Sequence, residues 1–469
     1  MISLTLEQIA HAIDGHLAGG RHGDIAVTGS VETDSRLVTQ GSLFFAKPGE
    51  VTDGHNFVGA AKELGAVAAV VEHEISSVDL PQIVVSDAVL ALGKLAKYVL
   101  AEVRKSSGLK VVGITGSNGK TTTKNMLRAI LSTTGNTVAP IESYNNEVGA
   151  PISVLKIDGS TKYLVAELGA GGPGSIAYLT EIVQPDIAVE LKVGMAHAGE
   201  FGGIDVTAAI KAELLQGIGA DSVAILNLDD PHVRQMSDLA QGKKLWFGTN
   251  PEADFWADNY VLSLAGTSFD LHWPDQEVTA VTLQILGEHH VMNALASAAV
   301  SFELGIPKAK IVSALEALPL AERWRMQLTN TDDGIAVIND AYNASPDSTK
   351  AALQTLAQLG RITGRRTVAI LGEMAELGSF AVAEHDAIGR LAVRLNIDLT
   401  IAVGAKAKLI YMGATQEGSY DGESQFFESL DGALPGIRGM LRRGDIVLVK
   451  SSKSANLRFL GDELLEVNA

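Results

Sequence analysis

Gly113-Ile114-Thr115-Gly116-Ser117-Asn118-Gly119-Lys120-Thr121-Thr122 follows a strand-like run at 110–112 and opens a helical run at 123–131. Closely spaced glycines let the main chain curl so that several N–H groups point toward phosphate oxygens. The start of the helix adds its dipole, Lys120 supplies a cation, and the Thr121 hydroxyl can bind Mg²⁺. A strict Walker loop would place Gly at 114, where this chain has Ile. The core of the loop is therefore Gly116-x-x-Gly119-Lys120-Thr121-Thr122. A dinucleotide-binding turn would leave the Lys-Thr-Thr at the helix start unexplained.

Outward from this loop, buried strand-like runs at 110–114, 163–166, 186–191 and 223–226 are each followed by a Gly-rich loop and a helical stretch. Strands alternating with helices imply a parallel sheet covered on both faces. Between 255 and 286 the hydrophobic period becomes two, which predicts an antiparallel appendage, and an Ala-rich helix is expected over 290–304. A further α/β unit begins near Glu322, with strands at 336–338, 367–371, 399–403 and 446–449. The first ~105 residues hold short apolar runs at 66–71 and 83–85 bounded by Gly, Pro and Asp, and 105–108 reads as a linker of small polar residues. The expectation is an α/β protein of three domains: a small N-terminal α/β domain at 1–107, a central P-loop ATPase-like parallel-sheet domain at 108–320, and a C-terminal Rossmann-like α/β domain at 321–469.

A chain of 469 residues is too long for one core and suits about three. Its formal charge of −18 argues against nucleic acid or an anionic membrane as a partner, because both demand a basic face. Without cysteine there is no disulfide, thiolate metal site or cysteine nucleophile. The first residues lack the basic and apolar regions of a signal peptide, and no run reaches the ~18 apolar residues of a membrane span. A cytoplasmic location is expected.

Other polar residues cluster where strands end or helices begin: Asn145-Asn146-Glu147, Glu167-Leu168-Gly169, Val193-Gly194-Met195-Ala196-His197 and Lys211-Ala212-Glu213. In a parallel sheet these positions converge on the crevice beside the P-loop. A carboxylate there suits Mg²⁺, a hard cation that prefers oxygen. Taken singly, Glu167 reads equally as a capping or surface residue, whereas His197 reads as a structural histidine and Lys211 as a plain helix-surface lysine.

Together with the variant loop, these segments resemble the Mur ligase family of ATP-dependent amide ligases. The resemblance extends from about residue 30 to 455. It implies that Gly116, Ser117, Asn118, Gly119, Lys120, Thr121 and Thr122 bind ATP, and that Glu167 and Thr121 hold Mg²⁺. It further implies that His197 and a carbamylated Lys211 hold a second Mg²⁺, and that Asn146 lies near the reacting acyl phosphate. Lys192 stands where Asn is common in the family, and Met195 where Pro is common. Gly287-Glu288-His289-His290-Val291-Met292-Asn293 resembles the segment whose Asn contacts adenine, here Asn293. In Arg323-Trp324-Arg325, relatives usually carry Gly at the Trp324 position, and Arg325 matches an arginine that contacts phosphates.

Asp340-Ala341-Tyr342-Asn343-Ala344-Ser345-Pro346 resembles the signature of the members that add D-alanyl-D-alanine. It places Asp340 at the nucleotide, and Tyr342 and Asn343 near the incoming amine. Leu371–Gly378 and Val447–Ser454 extend the match, although Ser451 and Lys453 replace a usual Gly and Arg. In the first domain, Ser35 and Arg36, Lys47, and Asp53 and His55 fall in segments resembling a UDP-binding unit. The implied substrates are thus UDP-N-acetylmuramoyl tripeptide, D-alanyl-D-alanine and ATP, with Mg²⁺, acted on by a monomer. A sibling that adds a single amino acid, a folylpolyglutamate synthase-like ligase and a non-catalytic nucleotide-dependent binding protein remain as alternatives. The Asp-Asn-Pro-Arg motif of diaminopimelate-adding relatives is absent.

Overall fold

A computed structural model describes residues 1–20, 22–49, 52–140, 144–196, 198–319, 322–419 and 422–465. The strand Lys110–Thr115 lies inside a nine-stranded sheet, between Ile187–Glu190 and Thr161–Glu167 and parallel to both. Val111, Val112, Ile114 and Thr115 are β-branched and buried, as a middle strand covered on both faces requires. Register brings Glu167 opposite Ile114 and Glu190 opposite Thr115, so polar residues line up along the carboxyl edge of the sheet.

The period-two segment is the expected antiparallel appendage, and it is continuous with the central sheet. Phe255–Ser263 adds to the same sheet in parallel beside Lys243–Gly248, and Gly266–His272 and Val278–Leu283 continue it antiparallel. Phe255, Phe269, Leu271 and Val281 point into the core that also packs the helices Lys120–Leu131 and His289–Glu303.

The C-terminal unit is a six-stranded sheet in which Ala336–Asn339, Ile446–Lys450, Thr367–Leu371, Leu399–Val403 and Ser424–Phe427 run parallel, with Gln327–Asn330 antiparallel at one edge. The N-terminal unit holds a five-stranded sheet with Leu43–Phe45 and Ala68–Val71 inside it.

The linker expected at 105–108 is corrected by the helix Ala88–Ser106, which runs through its first two residues. The Ser106 and Ser107 hydroxyls both donate to the Val103 carbonyl, at 3.2 and 2.9 Å. These small polar residues therefore finish a helix instead of loosening a tether. The same helix fastens the N-terminal unit to the central one. At Gly93 a Cβ would lie 2.3 Å from the Tyr178 hydroxyl, and Arg104 pairs with Asp186 at 3.0 Å. One apolar core consequently contains Leu92, Leu95 and Val99 together with Leu164, Leu179 and Leu214. No helix among the described residues is long and apolar enough to cross a membrane.

Candidate active site

A cavity of about 510 Å³ opens where the carboxyl edge of the central sheet meets the C-terminal unit. Residues 117–122 form its floor, and Asn145, Asn146, Glu167, Lys211, Asn293, Arg325, Asp340, Tyr342 and Asn343 share its walls. Gly116 and Gly119 have φ of +147° and +89°, so the loop takes turns that a side chain would oppose. At Gly119 a Cβ would also lie 2.4 Å from Asn293 Oδ1, which keeps the loop close to the helix His289–Glu303.

Lys120 lies at the first position of the helix Lys120–Leu131, and its Nζ donates to the Gly116 carbonyl at 2.6 Å. Burial pushes this amine below the usual lysine range, against the pull of Glu167. The Thr121 hydroxyl lies 3.1 and 3.3 Å from the two oxygens of Glu167 and receives a 3.3 Å bond from Arg325 Nη2. Asn145 Nδ2 donates to Glu167 at 3.0 Å, and Lys124 Nζ lies 3.5 Å from it with both side chains buried. A hydroxyl and a carboxylate side by side at the foot of a phosphate loop form an all-oxygen donor set, which fits Mg²⁺. Asn146 Oδ1 accepts the Gly149 N–H at 2.9 Å and so fixes the start of the helix Gly149–Val154.

Lys211 is buried on the helix Ile204–Gly217, facing the buried Glu190. Both Glu190 oxygens lack a hydrogen-bond partner. Burial pushes the Glu190 carboxyl up to about 8, against the pull of Lys211, while burial and the Lys120 charge push the Lys211 amine down to about 7. His197 lies outside the described residues.

Across the cavity stand two adjacent histidines, His290 buried and His289 half-buried. Burial takes His289 down to about 4 and His290 well below the usual range, so both are neutral near pH 7. Asn293 Nδ2 donates to His290 Nδ1 at 3.3 Å, which leaves the His290 proton on Nε2, where it has no partner. Asn118 Nδ2 and Arg325 Nε are also buried without partners. Unpaired donors of this kind around one cavity suit an anionic, acceptor-rich ligand.

Asp340 is held from both sides. Its Oδ1 accepts the Met326 N–H at 3.0 Å and its Oδ2 pairs with the buried Lys450 at 2.6 Å. Lys450 also donates to the Asn343 carbonyl at 3.1 Å, bracing the segment that carries Tyr342. The Arg325 guanidinium sits 4.5 Å from the Tyr342 ring centre, and Lys453 Nζ 5.5 Å from it.

The residues of the N-terminal unit do not line this cavity. Arg36 is 86% exposed and pairs with Asp34 at 2.6 Å, next to Ser35 at the start of the same turn. The Lys47 carbonyl accepts the Gly54 N–H at 2.9 Å. Asp53 caps 54–57 and holds His55 Nδ1 at 2.6 Å, while His55 Nε2 accepts the Glu72 N–H at 2.8 Å. His55 is thereby committed to joining two loops, with its ring stacked on His73.

Lys124, Asn145, Glu190 and Lys450 belong to the site although sequence reasoning did not single them out. Of these, Asn145 and Lys450 had a signal, since they lie inside the Asn145-Asn146-Glu147 cluster and the Val447–Ser454 match. Two departures from the family pattern also find their places. Trp324 has φ of +59°, which accounts for glycine being usual there. Its Nε1 bonds Asp462 at 2.9 Å, and the Arg323 and Arg458 guanidinium groups lie against its ring. Ser451 is fully buried and fits because its neighbour is Gly372, where a Cβ would come within 2.7 Å of the Ser451 Cβ.

A P-loop facing residues of a second α/β unit across one cavity defines a nucleotide-dependent enzyme of several α/β domains. Family models match along the chain: the Mur ligase family catalytic domain at residues 28–100, the Mur ligase middle domain at 114–301 and the Mur ligase glutamate ligase domain at 324–453. The UDP-N-acetylmuramoyl-tripeptide--D-alanyl-D-alanine ligase of Mycobacterium tuberculosis is 41% identical over 505 residues, spanning 99% of this chain and 98% of that protein. A crystal structure of MurF from Acinetobacter baumannii superposes with a TM-score of 0.89 at 33% identity, covering 99% of both chains. MurF from Thermotoga maritima in complex with ADP gives a TM-score of 0.79 at 26% identity, over 94% of this chain and 97% of that one. The chain belongs to the Mur ligase family.

Proposed function

We propose that this protein joins D-alanyl-D-alanine to the terminal carboxylate of UDP-N-acetylmuramoyl tripeptide, consuming ATP and releasing ADP and phosphate. The observation that carries this reading is the single cavity in which residues 117–122 face Asp340, Tyr342 and Asn343. The names of relatives matched over their full length supply the substrates.

A carboxylate oxygen of the tripeptide attacks the terminal phosphorus of ATP, and the bond to ADP breaks to leave an acyl phosphate. The amine of the dipeptide then attacks the acyl carbon, phosphate departs, and the amine loses a proton. Loop N–H groups from 116 to 119 cradle the phosphates, with the Ser117 and Thr122 hydroxyls beside them. Lys120 and Arg325 stand where charge builds on the transferring group. Thr121 and Glu167 would hold Mg²⁺, which when bound neutralises phosphate charge. Asn293 lies at the base side of the nucleotide, and Asp340 and Lys450 fix the strand end beside it. Asn146 stands near the acyl group, while Tyr342 and Asn343 face the amine. Carbamylated Lys211 and His197 are assigned to a second Mg²⁺. Ser35, Arg36, Lys47, Asp53 and His55 mark the unit that receives UDP, with His55 and Asp53 shaping its loops.

The deciding experiment is ADP formation with UDP-muramoyl tripeptide and one of three acceptors: D-alanyl-D-alanine, free D-alanine or diaminopimelate. A site that hydrogen-bonds the dipeptide amide leaves buried polar groups unpaired with a shorter acceptor, so a preference on the order of 10⁴-fold for the dipeptide is expected. Equal rates with the single amino acids would overturn the acceptor assignment. For the first unit, Arg36→Ala should raise KM for the UDP-peptide about tenfold and leave KM for ATP unchanged, because a charge-assisted phosphate contact is lost from one substrate only. A parallel rise in both constants would remove Arg36 from the UDP site.

A further inference from the structure

We propose that Asp347 is a positioning residue that clamps the C-terminal unit onto the loop at 192–196, and that Lys192 and Met195 complete the clamp. Asp347 stands in the first turn of the helix Pro346–Thr363. Its Oδ2 accepts the Met195 backbone N–H at 3.0 Å, and its Oδ1 lies 4.0 Å from Lys192 Nζ. Between these two contacts is Gly194, where a Cβ would meet Asp347 Oδ2 at 2.5 Å. The approach therefore depends on a bare glycine backbone.

The loop held in this way is already bonded to the phosphate loop. Ser117 N–H donates to the Lys192 carbonyl at 2.7 Å, and the Ser117 hydroxyl accepts the Gly194 N–H at 2.9 Å. One residue pair further on, the Ser345 hydroxyl donates to Asn118 Oδ1 at 3.1 Å. Asp347 and Ser345 together tie the start of one helix of the C-terminal unit to both of the hydrogen-bonded loops beside the cavity.

Lys192 and Met195 are the two positions of this loop that depart from the family pattern, and both meet the same carboxylate. A proline at 195 has no N–H to give, and an asparagine at 192 has no charge. Of the two contacts, the N–H bond is the stronger. Lys192 and Asp347 are 50% and 28% exposed, so their pairing is screened by solvent and contributes little.

The test combines Asp347→Ala, Met195→Pro, the double variant and Asp347→Asn. Asp347→Ala and Met195→Pro should each lower kcat/KM for ligation about tenfold, the loss associated with one hydrogen bond to a charged acceptor. The double variant should lose no more than the worse single one, because both changes remove the same bond. Asp347→Asn keeps an oxygen for the N–H and should fall between the native chain and Asp347→Ala. The kinetic comparison rests on the proposed reaction, so a second reading is taken without turnover. The chain has no cysteine, and Asp221→Cys and Ile362→Cys place dyes on exposed sites of the central and C-terminal units. With ADP present, energy transfer between the dyes should broaden in Asp347→Ala and Met195→Pro alike. Unchanged transfer in Asp347→Ala, or fully additive kinetic losses, would overturn the clamp whether or not the substrates are those proposed.

Discussion

Lys120→Ala is expected to lower kcat for ADP formation by on the order of 10²–10³, the usual cost of removing one preorganised charge from a transition state. The side chain sits at the first helical position after the two positive-φ glycines, and Nζ reaches the Gly116 carbonyl at 2.6 Å. A phosphate drawn into the loop would meet that ammonium and the N–H groups of the helix start together. Because burial already lowers the Lys120 pKa, its charge is held at a desolvation cost that the empty fold does not need. The variant should accordingly unfold at the same temperature as the parent or slightly higher, while turnover collapses. Steady-state ADP release at saturating ATP, with circular dichroism melts alongside, checks both parts. Near-normal turnover would remove Lys120 from the chemistry.

The residues legible in the sequence are those whose role is local. The loop 116–122 declares itself because glycine spacing, lysine and threonine act within one turn, and the parallel strands because their apolar runs are continuous. Glu167 and Asn293 became readable only through the resemblance. Lys124 was not legible: a lysine one helical turn after Lys120 looks like a solvated residue, and only the fold closes Glu167 over it at 3.5 Å. Glu190 is hidden in the same way, since a single acid inside an apolar strand does not state which helix will cover it. The strands Gln327–Asn330 and Ser424–Phe427 were missed because partly exposed edge strands lose the continuous apolar run of their neighbours. The departures at 192, 195 and 324 were visible as letters but acquired meaning only from geometry, as a carboxylate met twice and a φ of +59°.

Lys211→Ala should reduce ligation by on the order of 10²–10³ and regain part of it when short carboxylic acids are added, since they can restore the missing oxygen donors. The reason lies in the protonation state. CO₂ adds only to a neutral amine, forming a carbamate and releasing a proton, and a lysine at its ordinary pKa is almost wholly charged at pH 7. Burial and Lys120 bring Lys211 down to about 7, so a large share of it is neutral there. As pH rises through 7 the amine loses its proton and becomes able to react; as pH falls below 7 it is charged and the carbamate is lost. Activity in CO₂-depleted buffer should therefore be lowest on the acid side of 7, and bicarbonate should restore it most fully above 7. Carbon-13 NMR after addition of labelled bicarbonate reads the modification directly, with Lys211→Ala as the blank. A spectrum without a carbamate signal at pH 8, in protein that remains fully active, would mean that Lys211 works as a bare amine beside Glu190.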